Sequence, residues 1–205
     1  MGSRSVQRRE AILDAALHCY TEGGAAAVTI HAVGQRSGAS VGSIYHHFGN
    51  KDGILRALFH ALLTLYRAHL LAYLEAVTGA EATIKAMVAQ HLRWIGDHPN
   101  KARFLFSMRH NPVLASDEEV LREETTQFVN TFRARMRGWV ERGELRPIPL
   151  GLAVPIIMGP AHQLGRHWLS GRLELDLEAA AVELGAAAWR AVRAEPVPPS
   201  PEPVW

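Results

Sequence analysis

The chain has 205 residues, 48% of them hydrophobic and 20% charged, with 22 Lys and Arg against 20 Asp and Glu. This is the composition of an ordinary soluble globular protein, long enough for one large domain or two small ones. The single cysteine, Cys19, excludes an intramolecular disulfide and a cysteine-cluster metal site, and reads as a small buried hydrophobe. No run approaches the roughly 18 apolar residues of a membrane span, and the start MGSRSVQRRE lacks the apolar core of a signal peptide, so a cytoplasmic protein with no membrane partner is expected.

A first helix carries Arg4, Arg8 and Arg9 at its front and Cys19 further on. Thr29 is placed to cap a second helix, because its hydroxyl can accept a hydrogen bond from an orphan N–H one turn on. Gly38 supplies a sharp break, and Ser40 caps a third helix that runs to about Phe48. On that helix Val41, Ile44, Tyr45 and Phe48 recur at i, i+3, i+4 and i+7, with Ile44 and Phe48 as the anchors. Ser43, His46 and His47 then point outward beside Gly42, whose missing side chain lets a backbone come close. A buried stripe behind and donors and acceptors in front are what a helix needs to read a major groove. Val41, Ser43 and His46 are expected at base edges; Thr29, Ser40, Tyr45, His47 and Lys51 are expected mainly on phosphates.

The net charge of +2 resides wholly in residues 1–56, which hold six basic and four acidic side chains; the remainder is balanced at 16 against 16. Arg4, Arg8 and Arg9 at the front of the first helix are placed either to reach phosphates and a minor groove or simply to solvate the N-terminus.

Past Lys51 the pattern is helical almost throughout. Ile54, Leu55, Leu58, Phe59, Leu62, Leu65, Tyr66, Leu70 and Tyr73 mark a long helix ending near Gly79. A helix through Ile84, Met87, Val88, His91, Leu92 and Ile95 stops before Asp97-His98-Pro99, and a shorter one carries Phe104, Leu105 and Met108 as far as Asn111-Pro112. Ser116 with Glu119 reads as a capping box for the next helix, whose apolar set runs from Val120 and Leu121 through Phe128, Phe132 and Met136 to Trp139 and Val140. Two further helices span about 150–170 and 176–194. In the first of these, Pro155 and Pro160 each remove an N–H, and Pro160 is expected to kink or break the axis. The tail from 195 to 205 is Pro-rich and expected to be disordered.

Gly38, Ala39, Ser40, Val41, Gly42, Ser43, Ile44, Tyr45, His46, His47, Phe48 and Lys51, with Ile12-Leu13, Ala15-Ala16, Tyr20, Glu22 and Gly24 upstream, make this region resemble the DNA-binding domain of TetR-family transcriptional regulators. Gly34 and Ser37 stand where alanines are usual, and Cys19 and Tyr20 where the family carries Leu-Phe. The resemblance implies an all-α fold of about nine helices. Residues 1–51 would form a three-helix DNA-binding domain with a helix-turn-helix, and residues 52–194 a helical ligand-binding and dimerisation domain. It also implies a repressor released from double-stranded DNA, at a palindromic operator, by a small-molecule effector. The cavity taking that effector would draw on Trp94, Phe104, Met108, Phe128, Phe132, Met136, Met158 and His162, a set suited to an apolar or flat ligand.

The last helix places Leu177, Ala180, Ala181, Leu184, Ala187, Ala188 and Ala191 together, and the one before it Gly159, Ala161, Leu164, Gly165 and Trp168. Packed against a two-fold mate this pair would form a four-helix seam, so a homodimer is expected, with Leu184 as an apolar anchor. The sequence holds no His-Glu-x-x-His run, no Gly-x-Ser-x-Gly elbow and no phosphate loop, so no enzyme and no cofactor are expected. A metal-responsive regulator built on His91, His98, His110, His162 or His167 is the alternative.

Overall fold

The computed structural model describes residues 2–195; the expected disordered tail lies, apart from Glu195, outside the described residues. The chain is all-α, in the order α1 (Gly2–Ala27), α2 (Ile30–Ser37), α3 (Val41–Phe48), α4 (Lys51–Glu75), α5 (Ala80–Asp97), α6 (Pro99–Met108), a 3-10 turn (Pro112–Asp117), α7 (Glu118–Glu141), α8 (Leu150–Leu169) and α9 (Leu177–Val192). Among the described residues there is no strand, and extended pairing is limited to an isolated antiparallel bridge between Leu145 and Arg193.

Local chemistry sets the N-terminal boundaries. α1 loses helical geometry at Gly23 and Gly24, the latter at φ 65°. The Thr29 hydroxyl accepts from the Ala32 N–H at 3.1 Å, Ser40 Oγ from the Ser43 N–H at 3.2 Å, and Asn50 Oδ1 from the Gly53 N–H at 2.8 Å. Each side chain satisfies an orphan donor at a helix start, typically worth about 1 kcal/mol. Gly38, at φ 64°, makes the left-handed turn from α2 into α3.

Two apolar cores result, and α4 runs through both. The head core holds Ile12, Ala16, Val33, Ile44, Ile54, Leu55, Leu58, Phe59 and Leu62, and is completed by Phe104, Met108, Leu114 and Leu121 from α6 to α7. The second core gathers Leu70 and Leu74 of α4 with Ile84, Val88, Leu92, Ile95, Ile157, Ala161, Ala181, Ala188 and Val192. By length and composition α4 is apolar enough to cross a membrane; its apolar residues are divided between these two cores instead. Truncating a fully buried Phe59 or Phe104 to alanine would cost about 3–5 kcal/mol.

Three expectations are corrected. The Ser116–Glu119 capping box does not form, because Ser116 Oγ accepts from Arg56 and donates to Asp117, which becomes the uncapped N-terminal residue of α7. No break occurs at Pro155 or Pro160, which lie inside a continuous α8; both are exposed, so water can serve the carbonyls they leave unpaired. Finally, part of the small-residue face of α8 and α9 is consumed within the chain. A Cβ on Gly165 would meet Ile95 Cδ1 at 2.5 Å, Gly185 abuts Lys85, and Ala181 and Ala188 are buried in the core with α5.

Candidate functional site

On α3 Ile44 is fully buried and holds the helix against the head core, leaving Val41 53% and Tyr45 52% exposed. Gly42 and His46 are also exposed, whereas Ser43, His47 and Lys51 are half-buried. A Cβ at Gly42 would meet nothing, so this face is open. Thr29 and Ser40 use a hydroxyl lone pair in capping and keep the O–H free to donate. Phe48 is half-buried, with the Arg9 guanidinium 5.7 Å above its ring. Arg8 donates to the Gly38 carbonyl at 3.2 Å, and Arg36 grips Glu22 at 2.6 Å and 2.8 Å. Thus Arg8 and Arg9 tie α1 to the turn and to the end of α3. The sequence pattern left that role unseen, because both contacts span some 30 residues or more of chain.

A cavity of about 420 Å³ opens between α4, α5, α6, α7 and α8, within the size range of small-molecule sites. Trp94, Phe128, Phe132, Met136, Met158 and His162 line it. Phe104 and Met108 do not; both are buried in the head core, where Phe104 meets the Tyr20 ring edge-on at 4.7 Å. Helix α6 therefore has two apolar faces, one toward the head and one, through Leu105 and Phe106, toward the cavity. The sequence also missed Tyr66, whose phenol hydrogen-bonds His91 Nδ1 at 2.8 Å inside the cavity wall.

The model of the bacterial regulatory proteins of the tetR family matches residues 12–58, from the start of the α1 core to the middle of α4. Over these residues the chain is similar to the DNA-binding domain of the TetR family. The HTH-type transcriptional regulator BetI of Escherichia coli O139:H28 is 27% identical over 197 residues, covering 86% of this chain and 98% of its own length. Among solved structures, a TetR family transcription regulator from Marinobacter aquaeolei VT8 superposes with a TM-score of 0.78 at 18% identity, over 95% of this chain and all of the other. The transcriptional regulator FadR from Bacillus subtilis, solved in complex with stearoyl-CoA, gives 0.74 at 19% identity, over 87% of this chain and 96% of its own. The chain is a DNA-binding transcriptional regulator and not an enzyme. Among the described residues no three His, Cys, Asp or Glu side chains converge as a metal site, which leaves the metal-responsive alternative without support.

The Tyr66–His91 pair gives the protein a pH signature. His91 is 6% exposed, and burial, with the adjacent His162 adding to it, pushes its pKa from 6.5 down to about 3. Burial also pushes the Tyr66 phenol well above its usual value, with Arg67 opposing it. Because the folded His91 value lies below the unfolded one, the unfolded chain takes up the proton first as pH falls. Stability from this group is therefore complete above about pH 6.5 and declines as pH falls from there toward 3. Denaturant titrations at pH 7.5, 6 and 5 are expected to show a shallower decline in His91→Phe than in the wild type; equal slopes would place a charged His91 in the folded state.

Proposed function

We propose that the chain is a cytoplasmic, homodimeric repressor that grips a palindromic operator with α3 of each protomer and lets go when a small molecule enters the cavity. The observation that carries this reading is a shared wall. Phe59, Leu63 and Leu105 pack in the head core and also line the cavity, so a ligand there presses directly on residues that position the head. The Tyr20–Ser107 hydrogen bond adds a second tie between α1 and α6. That Bacillus subtilis FadR, which shares the fold, was solved in complex with stearoyl-CoA supports a small-molecule effector.

On the operator, Val41, Ser43 and His46 face base edges beside Gly42, and Thr29, Ser40, Tyr45, His47 and Lys51 hold phosphates. Lys51→Ala is expected to weaken binding to every sequence and to lower the salt slope by about one, whereas Ser43→Ala or His46→Ala changes base preference. Fluorescence anisotropy across a salt series decides this; an unchanged salt slope in Lys51→Ala would remove it from the phosphate set.

Dimerisation uses a face of α8 and α9 that internal packing leaves partly open, Ile156, Ala180 and Leu184 also touching the second core. Leu152, Ile156, Gly159 and Gln163 fall on one line of α8, and Ala180, Leu184, Ala187 and Ala191 on one line of α9. Leu152 is 56% exposed and a Cβ on Gly159 would meet only open space, so a second helix pair can approach closely. Ala187→Glu is expected to weaken the dimer by about 1–3 kcal/mol through overpacking and buried charge. Light scattering and operator titration should fall together; a wild-type monomer that still binds a palindrome tightly would overturn the scheme.

A further inference from the structure

The electrostatics of the cavity wall are one-sided. No Asp or Glu lines it, while Arg67, Arg109 and Arg166 do. Arg67 is taken up by Glu124 at 3.1 Å and Thr125 at 2.9 Å. Arg109 and Arg166, both exposed, make no side-chain hydrogen bond or ion pair among the described residues, and their charges both bear on His162 between them. His162 in turn stacks on His91, ring centroids 5.6 Å apart and planes within 12°.

His91 adds a directional demand. Its Nε2 is buried and has no hydrogen-bond partner. If Nδ1 carried the proton, the Tyr66 O–H would lose its acceptor and Nε2 would still be unpaired, giving two unmet groups. With the Tyr66 O–H donating to Nδ1 there is one unmet group, an Nε2–H donor, so that tautomer is favoured. An N–H donor beside the stacked His162 ring is satisfied by an acceptor and repels a cation. The rest of the wall, from Trp94 through Phe132 and Met136 to Ile157, is apolar.

We propose that the effector is an amphipathic anion, with an apolar body packed against Trp94, Phe132 and Met136 and an oxyanion head such as a carboxylate held by Arg109, Arg166 and the His91 Nε2–H. This rests on the cavity being the effector site. An anion there gains charge-assisted hydrogen bonds from two unpaired guanidinium groups, and a cation of the same shape meets like charge and an orphan donor.

The test compares decanoate, decan-1-ol and decylammonium, which share a chain and differ in head charge, by calorimetric titration of the full-length protein. Decanoate is expected to bind about tenfold or more tightly than either of the others. The exposed pair of changes Arg109→Gln and Arg166→Gln, which puts no core packing at risk, is expected to bring decanoate down to the affinity of the alcohol. If the alcohol or the ammonium binds as tightly as decanoate, or the double variant keeps full decanoate affinity, the anion assignment falls while the cavity reading stands. If none of the three binds the wild type, the cavity reading falls and the assignment with it.

Discussion

Gly53→Ala is expected to destabilise the DNA-reading head by more than about 3 kcal/mol and to weaken operator binding by about a hundredfold. A Cβ built on Gly53 would lie 1.8 Å from the Phe48 carbonyl oxygen and 3.0 Å from the Phe48 carbonyl carbon. Both are backbone atoms, so no side-chain rotation relieves the clash; the end of α3 must move away from the start of α4. The same junction carries the Asn50 cap on the Gly53 N–H and the Gly49 N–H to Tyr45 carbonyl bond that closes α3. Moving it tilts α3, and a shift on the order of 1 Å is enough to misplace groups that must meet base edges. The second core contains neither residue, so the helical α5–α9 body should keep its far-ultraviolet signal while the midpoint of unfolding falls. Wild-type operator affinity in Gly53→Ala would show that the junction is softer than its geometry.

The helix-turn-helix was legible because its determinants are local. Thr29, Gly38 and Ser40 act within three or four residues, and their spacing alone predicts the caps and the turn that form. Gly53 carried no such signal, since a close approach between two backbones leaves no mark on periodicity. Further along, periodicity identified apolar faces without saying which core each face meets. Phe104 and Met108 sit on the same helix as Leu105 and Phe106, yet the first pair is buried in the head core, Phe106 lines the cavity and Leu105 touches both. Ser116 and Glu119 had the right spacing for a capping box, yet Arg56, 60 residues away, took the hydroxyl. The Tyr66–His91 pair was invisible for the same reason: a buried polar pair is made by tertiary packing, and each member alone reads as a helix-face residue.

Phe132→Trp and Met136→Trp are expected to give proteins that bind operator normally and no longer respond to effector. Phe132 is 7% exposed and Met136 half-buried, both on α7 and both facing the void, so an indole at either position fills space that the ligand needs without touching the head core. Induction requires the effector to bind better to a conformation whose heads are wrongly spaced than to the one in which they sit about 34–36 Å apart, one DNA turn. To move the population from nearly all bound to nearly all released, that preference must reach about 10⁴-fold, so even a tenfold loss of effector affinity blunts the response. Two routes connect the cavity to the head. One is covalent, along α4 from Tyr66 and Leu63 to Phe59; the other is by contact, across α6 to Tyr20 through Phe104 and Ser107. Operator affinity measured with and without a compound that releases the wild type separates the cases. Unchanged basal affinity with lost release locates the effector in this cavity, whereas full release in both variants would put the ligand elsewhere or remove it from the mechanism.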